Sequence, residues 1–194
     1  MRNDIINYLE KEIRSRCESE KNFFGEGIFY HIKAVAENAV YLADKYGADK
    51  EVAVIAAWLH DIASITDYSL YEEHHIHGAE MAEEILNGFD YDNDKIQLVK
   101  KCILNHRGSK PAEKQSAEEI CIADADAVSH FDSVPSLFYL AYVKRGLGIQ
   151  EGIDFVKNKL ERSYKKLSDS GKEIFADKYK AAISIIGKKD AGLK

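Results

Sequence analysis

Four histidines and a small set of aspartates interrupt the apolar stripes of this 194-residue chain, and their types are those that hold divalent cations. His31 lies on the stripe of Ile28, Ile32, Val35, Ala39 and Leu42, so its imidazole points toward the interior. His60 and Asp61 follow Val52, Ile55, Trp58 and Leu59 and stand directly before Ile62. His106 closes the series Ile96, Val99, Ile103. The cluster HHIHG, His74 to Gly78, opens another apolar-periodic segment, and Asp124 and Asp126 interrupt CIADADAVSHF. Burying an ionised carboxylate without a partner costs several kcal/mol, and an imidazole without hydrogen bonds is penalised too. A divalent cation that accepts imidazole nitrogen and carboxylate oxygen together removes both penalties. One inward histidine is ordinarily a satisfied core residue. Four separate helices that each deliver an inward histidine or aspartate point instead to a shared ion.

The elements that must position these groups are helical. Apolar residues recur at three- and four-residue spacing, no stretch alternates with period two, and the two prolines are Pro111 and Pro135. The pattern predicts helices over Asn3 to about Cys17, Ile28 to Tyr46 ending at Gly47, Lys50 to Ala63, Glu73 to Leu86, Asp94 to His106, and Ser116 to His130. After Pro135 it predicts Ser136 to Lys144, Ile149 to Leu167 and Gly171 to Ile186. The fold class is therefore all-α, a single helical bundle of about eight or nine helices over residues 1–194. The segment 136–187 is expected to pack on the rest or on a partner, with Phe138, Tyr139, Tyr142, Phe155 and Phe175 in the core, over a pocket or at a homodimer surface.

Hydrophobic residues make up 45% and charged residues 31%, the balance of an ordinary soluble domain, and a formal charge of −6 argues against a nucleic-acid polymer as partner. A chain of this length buries about two-thirds of its unfolded surface without staples. Cys17, Cys102 and Cys121 show no CxxC spacing and read as core residues, and neither a secretory signal nor a membrane-spanning run is evident, so a cytoplasmic setting is expected.

The order His31, His60-Asp61, His74, His106 and an aspartate in ADADAV resembles the HD-domain superfamily of metal-dependent phosphohydrolases, over about Tyr30 to Phe131. That resemblance implies an all-α fold with a core at about 28–131, in which His31, His60, Asp61 and Asp126 bind one metal. It also implies a second ion at His74 and His106, bridged by Asp61. His74 stands four residues before Gly78, as in the family's HxxxG form, with His75 and then His77 as rivals. Aligning DAD on the family's final motif favours Asp126. Helical phase favours Asp124, four residues after Ile120, so both stay open. AVSHF departs from the family's usual continuation.

The implied activity is hydrolysis of a phosphomonoester, phosphodiester or phosphoanhydride of a small substrate, foremost a nucleotide. A bound cation acidifies a water and neutralises phosphoryl charge, with Asp61, His74 and His106 in the catalytic roles. Arg107 and Lys110 are the expected phosphate contacts. The metal expected is Mn, Fe, Co, Ni or Zn, with Mg also compatible, as one or two ions. The same ligand order also resembles mixed-valent di-iron oxygenases of the HD type, and a metal-stabilised nucleotide-binding module without turnover is a third reading.

Overall fold

The computed structural model describes residues 1–107 and 115–186, and these are helical, with no strand among them. In chain order the helices are α1 (Asn3–Glu18), α2 (Gly27–Tyr46), α3 (Lys50–Leu59), α4 (Ile62–Thr66), α5 (His74–Asn87), α6 (Asn93–Asn105), α7 (Ala117–Asp132), α8 (Val134–Tyr139), α9 (Ile149–Lys166) and α10 (Asp169–Ile185). A 3₁₀ turn, Tyr68–Glu73, precedes α5, and a π-helical turn, Leu140–Lys144, continues α8.

Two helices are central, α3 apolar on every side and α7 buried on every side with its few polar groups partnered inside. All of Val52 to Leu59 in α3 is buried, and so is all of Cys121 to Phe131 in α7. Around them pack α2, which touches both, α1 and α6 on α3, and α9 and α10 on α7. Local signals set the ends. Gly47 takes a left-handed φ of 69° to close α2, the Asp49 carboxylate accepts from the Glu51 and Val52 amides at 2.9 and 3.1 Å to start α3, and a Ser116–Glu119 capping box starts α7. Burial pushes the Cys17 and Cys121 thiols up to about 12, as suits inert core residues.

The helix expected over Lys50 to Ala63 is in fact two. Helix α3 stops at Leu59, and Asp61 sits at φ −109° and ψ 12°, outside helical dihedrals, before α4 begins. The break is supported locally: the Ser64 hydroxyl donates to the Asp61 carbonyl at 2.9 Å and the Thr66 hydroxyl to the Ile62 carbonyl at 2.7 Å. Likewise, the helix expected over Ser136 to Lys144 starts at Val134 and widens into the π turn, and the 3₁₀ turn before α5 carries no apolar period that would have announced it.

Glu51 ties the amino-terminal segment to α3 and to the loop before α6. Its carboxylate accepts from the Arg2 amide at 2.7 Å, the Tyr91 hydroxyl at 2.9 Å and Lys95 Nζ at 3.2 Å. Burial works against its charge, but these donors prevail and take its pKa from 4.5 down to about 2. A folded-state pKa below the unfolded one means that this stabilisation is full above about 4.5 and is lost as pH falls toward 2. Glu51→Gln is expected to remove about 2 kcal/mol at neutral pH, lowering the melting temperature by about 5 °C. The gap between wild type and variant should close in melts run between pH 4.5 and 2.5.

Candidate metal centre

Four imidazoles reach the site with their proton positions fixed by acceptors behind them. His60 Nδ1 donates to the Ala57 carbonyl at 2.7 Å, His74 Nδ1 to the Tyr71 carbonyl at 2.6 Å, and His106 Nδ1 to the Ile103 carbonyl at 2.6 Å. A carbonyl only accepts, so in each ring the proton is on Nδ1 and the Nε2 lone pair is left facing forward. His31 follows the same plan through a serine. The Ser129 hydroxyl gives its proton to the Asp126 carbonyl at 2.7 Å and therefore accepts from His31 Nδ1 at 2.9 Å.

The four lone pairs converge on two carboxylates. His31 Nε2 lies 3.4 Å from Asp126 Oδ1 and 3.9 Å from Asp61 Oδ2, and His60 Nε2 lies 3.5 Å from the same Asp61 oxygen. The other Asp61 oxygen, Oδ1, is 3.4 Å from His74 Nε2. His74 and His106 bring their Nε2 atoms within 3.2 Å of each other. Two groups result, His31 with His60 and Asp126, and Asp61 with His74 and His106; within each, the offered atoms lie within 4.8 Å of one another. Lone pairs aimed at carboxylate oxygens and at each other repel unless positive charge stands between them. His60 Nε2 is buried and makes no hydrogen bond with any described residue, the sign of a ligand atom rather than of a satisfied core histidine. The donor set of imidazole nitrogen and carboxylate oxygen thus fits one or two divalent transition metals.

The electrostatics agree with that fit. Burial disfavours charge on His60, but Asp61 and then Asp126 outweigh it and draw its pKa up to about 9, so a metal held there would have to displace a proton from the same atom. Burial together with neighbouring His60 pushes His106 down to about 3. Burial alone would raise Asp61 and Asp126; the imidazoles of His60 and His74 hold the first well below the usual carboxylate range, and His31 and Lys166 do so for the second.

Not every candidate from the sequence reaches this place. His75 is buried beside His74, with ring centroids 5.9 Å apart, and His77 pairs with Glu80 at 3.6 Å; neither enters the two groups. Gly78 lies one turn after His74 where α5 packs on α6 and on the histidine–aspartate break: a Cβ there would stand 3.4 Å from Ile103 and 3.7 Å from the His60 carbonyl, in ordinary van der Waals contact. Asp124 faces the opposite side of α7 from Asp126 and accepts from Tyr46 Oη at 2.8 Å and from Ser168 N and Oγ at 2.8 and 2.5 Å. Arg107 lines the cavity next to the site, but its guanidinium donates to the Glu72 carbonyl and lies 3.5 Å from the Glu72 carboxylate. Lys110 lies outside the described residues.

The cavity has a volume of about 570 Å³ and carries residues that the sequence reading passed over: His130, four residues after Asp126, and a set of cations from the π turn and α9. His130 packs its ring 4.6 Å from that of His31. Burial, with Lys159 and His31 beside it, holds this imidazole well below its usual value and so neutral. Its only sequence signal was the i+4 relation to Asp126.

A family model of the HD domain matches residues 28–130. The chain belongs to the HD domain family. The HD family is one of metal-dependent phosphohydrolases, and the match begins at the α2 stripe and ends at His130. An uncharacterized protein of Clostridium beijerinckii is 28% identical over 109 residues, 55% of this chain and 68% of that one. Ribonuclease Y of Mycoplasma capricolum is 32% identical over 106 residues, 55% of this chain but 19% of that enzyme. Among solved structures, YpgQ of Bacillus subtilis superposes with a TM-score of 0.69 at 18% identity, covering 98% of both chains. The same protein in complex with ADP gives 0.68 at 18%, covering 94% of this chain and 92% of that one. A predicted HD superfamily hydrolase from an uncultured Thermotogales bacterium gives 0.64 at 20%, covering 95% and 88%. These structural likenesses establish the fold beyond the HD match, including α9 and α10. Among the described residues, no helix is long and apolar enough to cross a membrane.

Proposed function

We propose that this HD protein hydrolyses a phosphate ester or anhydride of a small substrate, foremost a nucleotide, with one or two divalent transition metals held by His31, His60, Asp61 and Asp126 and by His74 and His106. The observation that carries the reading is the set of four imidazoles whose Nδ1 protons are all tied back, leaving four Nε2 lone pairs around Asp61 and Asp126 at one end of a cavity. A divalent cation bound there supplies Lewis acidity toward a phosphoryl oxygen and acidifies a water. The chain's own contribution is rigidity: three backbone carbonyls and Ser129 fix each ring's tautomer and direction, and the break at Asp61 turns its two oxygens toward different groups. Phe24, Tyr71 and Leu137 give the cavity an apolar side, and the structure of the similarly folded YpgQ in complex with ADP supports a nucleotide as the class of ligand here.

The test is elemental analysis of the purified protein coupled to a phosphate-release screen over nucleotides and sugar phosphates, run anaerobically with manganese, cobalt or nickel. Release without oxygen is the expected outcome. Turnover that requires oxygen, together with an electron paramagnetic resonance signal from a mixed-valent iron pair, would instead make this an HD-type oxygenase. Tight metal binding without turnover across the screen would make it a binding module.

A further inference from the structure

Outside the family match, α9 turns a row of cations toward the same cavity. Lys159, Arg162 and Lys166 line it together with Phe155. At about 100° per residue these four positions fall within roughly 60° of one another around the helix axis, and the three cations span about 10 Å along it. Arg145 joins them from the end of the π turn, where its amide donates to the Leu140 carbonyl at 3.0 Å and its guanidinium lies 4.9 Å from the Phe155 ring centroid. Arg145 directly follows that turn and lines the cavity from its exposed edge.

Among the described residues, none of these four cations has a carboxylate within ion-pairing distance, whereas Arg107 across the cavity is taken by Glu72. Elsewhere the cations next to acids pair with them: Lys95 with Asp49 and Glu51, Lys100 with Glu83, Lys178 with Asp132. The chain has 33 acidic residues against 27 basic ones, so unpaired positive charge gathered on one cavity wall is not a consequence of composition. Like charges three, four and seven residues apart repel along a helix. Burial lowers the basicity of Lys159, and Lys166 adds to that against the pull of Asp126. Asp61 and Asp126, the carboxylates of the cavity, already face the imidazoles of His31, His60 and His74. What relieves such a wall is a ligand with several negative charges in a row.

We infer that the α9 face, with Arg145, is a subsite for phosphate groups beyond the one attacked, so that the pocket takes a substrate carrying two or more linked phosphates rather than a monophosphate. The inference rests on the proposed hydrolytic reading for the direction of binding, with one phosphate at the imidazoles and the others along Lys159, Arg162 and Lys166. It narrows that reading from phosphate compounds in general to phosphoanhydrides.

Binding separates the two claims. With metal-loaded full-length protein, the dissociation constants of a nucleoside imidotriphosphate and of the matching monophosphate are compared by calorimetry; both carry the same nucleoside, so their ratio reads the additional phosphates. The wild type is expected to favour the imidotriphosphate at least roughly tenfold, and Arg162→Gln/Lys166→Gln to bring the ratio below about threefold, with the preference falling as salt rises. Lys157→Gln, which removes one positive charge from the opposite side of α9, is expected to keep the wild-type ratio. Thermal melts verify that each variant folds. Equal affinity of the wild type for both ligands, or a double variant with the wild-type ratio, would overturn the subsite. Absence of phosphate release from every substrate while the ratio behaves as expected would overturn the hydrolytic reading and leave the subsite standing.

Discussion

Asp61→Asn is expected to lower phosphate release at least about a thousandfold, some 4 kcal/mol of barrier, and to strip metal from the purified protein. Asp61 is the residue that faces both groups: Oδ2 stands 3.5 Å from His60 Nε2 and 3.9 Å from His31 Nε2, and Oδ1 stands 3.4 Å from His74 Nε2. An amide keeps the shape but loses the charge, and it presents an NH₂ to one group or the other. The fold should survive, because Asp61 holds the α3–α4 break through its backbone carbonyl, which accepts from Ser64 and Ile65. Steady-state kinetics and elemental analysis on the same preparation check the prediction. A variant with wild-type metal content and turnover would remove Asp61 from the site.

The second large effect separates two aspartates that stand two residues apart on one helix. Asp124→Ala should retain metal yet lose about 3–5 kcal/mol of stability, lowering the melting temperature by about 10 °C. Its side chain receives three hydrogen bonds, from Tyr46 and from the amide and hydroxyl of Ser168, and it pins the start of α10. Gly171 fits against it so closely that a Cβ there would stand 2.5 Å from Asp124 Oδ2. Asp126→Asn should show the reverse: lost metal and activity with a smaller change in melting, since its carboxylate faces His31 and the cavity and no helix terminus depends on it. Calorimetric melts and metal analysis of both variants give a two-by-two outcome, and the opposite pattern would exchange the two roles.

How much of this was legible in the sequence depended on how one-sided each helix is. Amphipathic α1, α2 and α6 declared themselves by period, and Gly47 marked the end of α2. The all-α class followed from the same pattern. Helix α7 gave no such guide to Asp124 against Asp126, because it is buried on every side and both faces count as core; phase from Ile120 pointed to the face that meets α10. The break at Asp61 was hidden for a similar reason, since Val52 to Ile65 stays apolar on both sides of it. The inward histidines could be grouped because each stands on an apolar stripe, whereas the α9 cations gave no such signal: their spacing is helical whether they meet solvent or a pocket, and only α9 docking on α7 turns them toward the cavity.

The most direct measurement is anomalous X-ray scattering from crystals of the purified protein, collected on both sides of the absorption edge of the metal found by elemental analysis. A peak bonded to the Nε2 atoms of His31 and His60 and to carboxylate oxygens of Asp61 and Asp126, at about 2.0–2.2 Å, is the predicted result, with a second ion, where present, at His74 and His106. A metal-replete crystal with no peak among these side chains, or with its peak elsewhere on the molecule, would contradict the account.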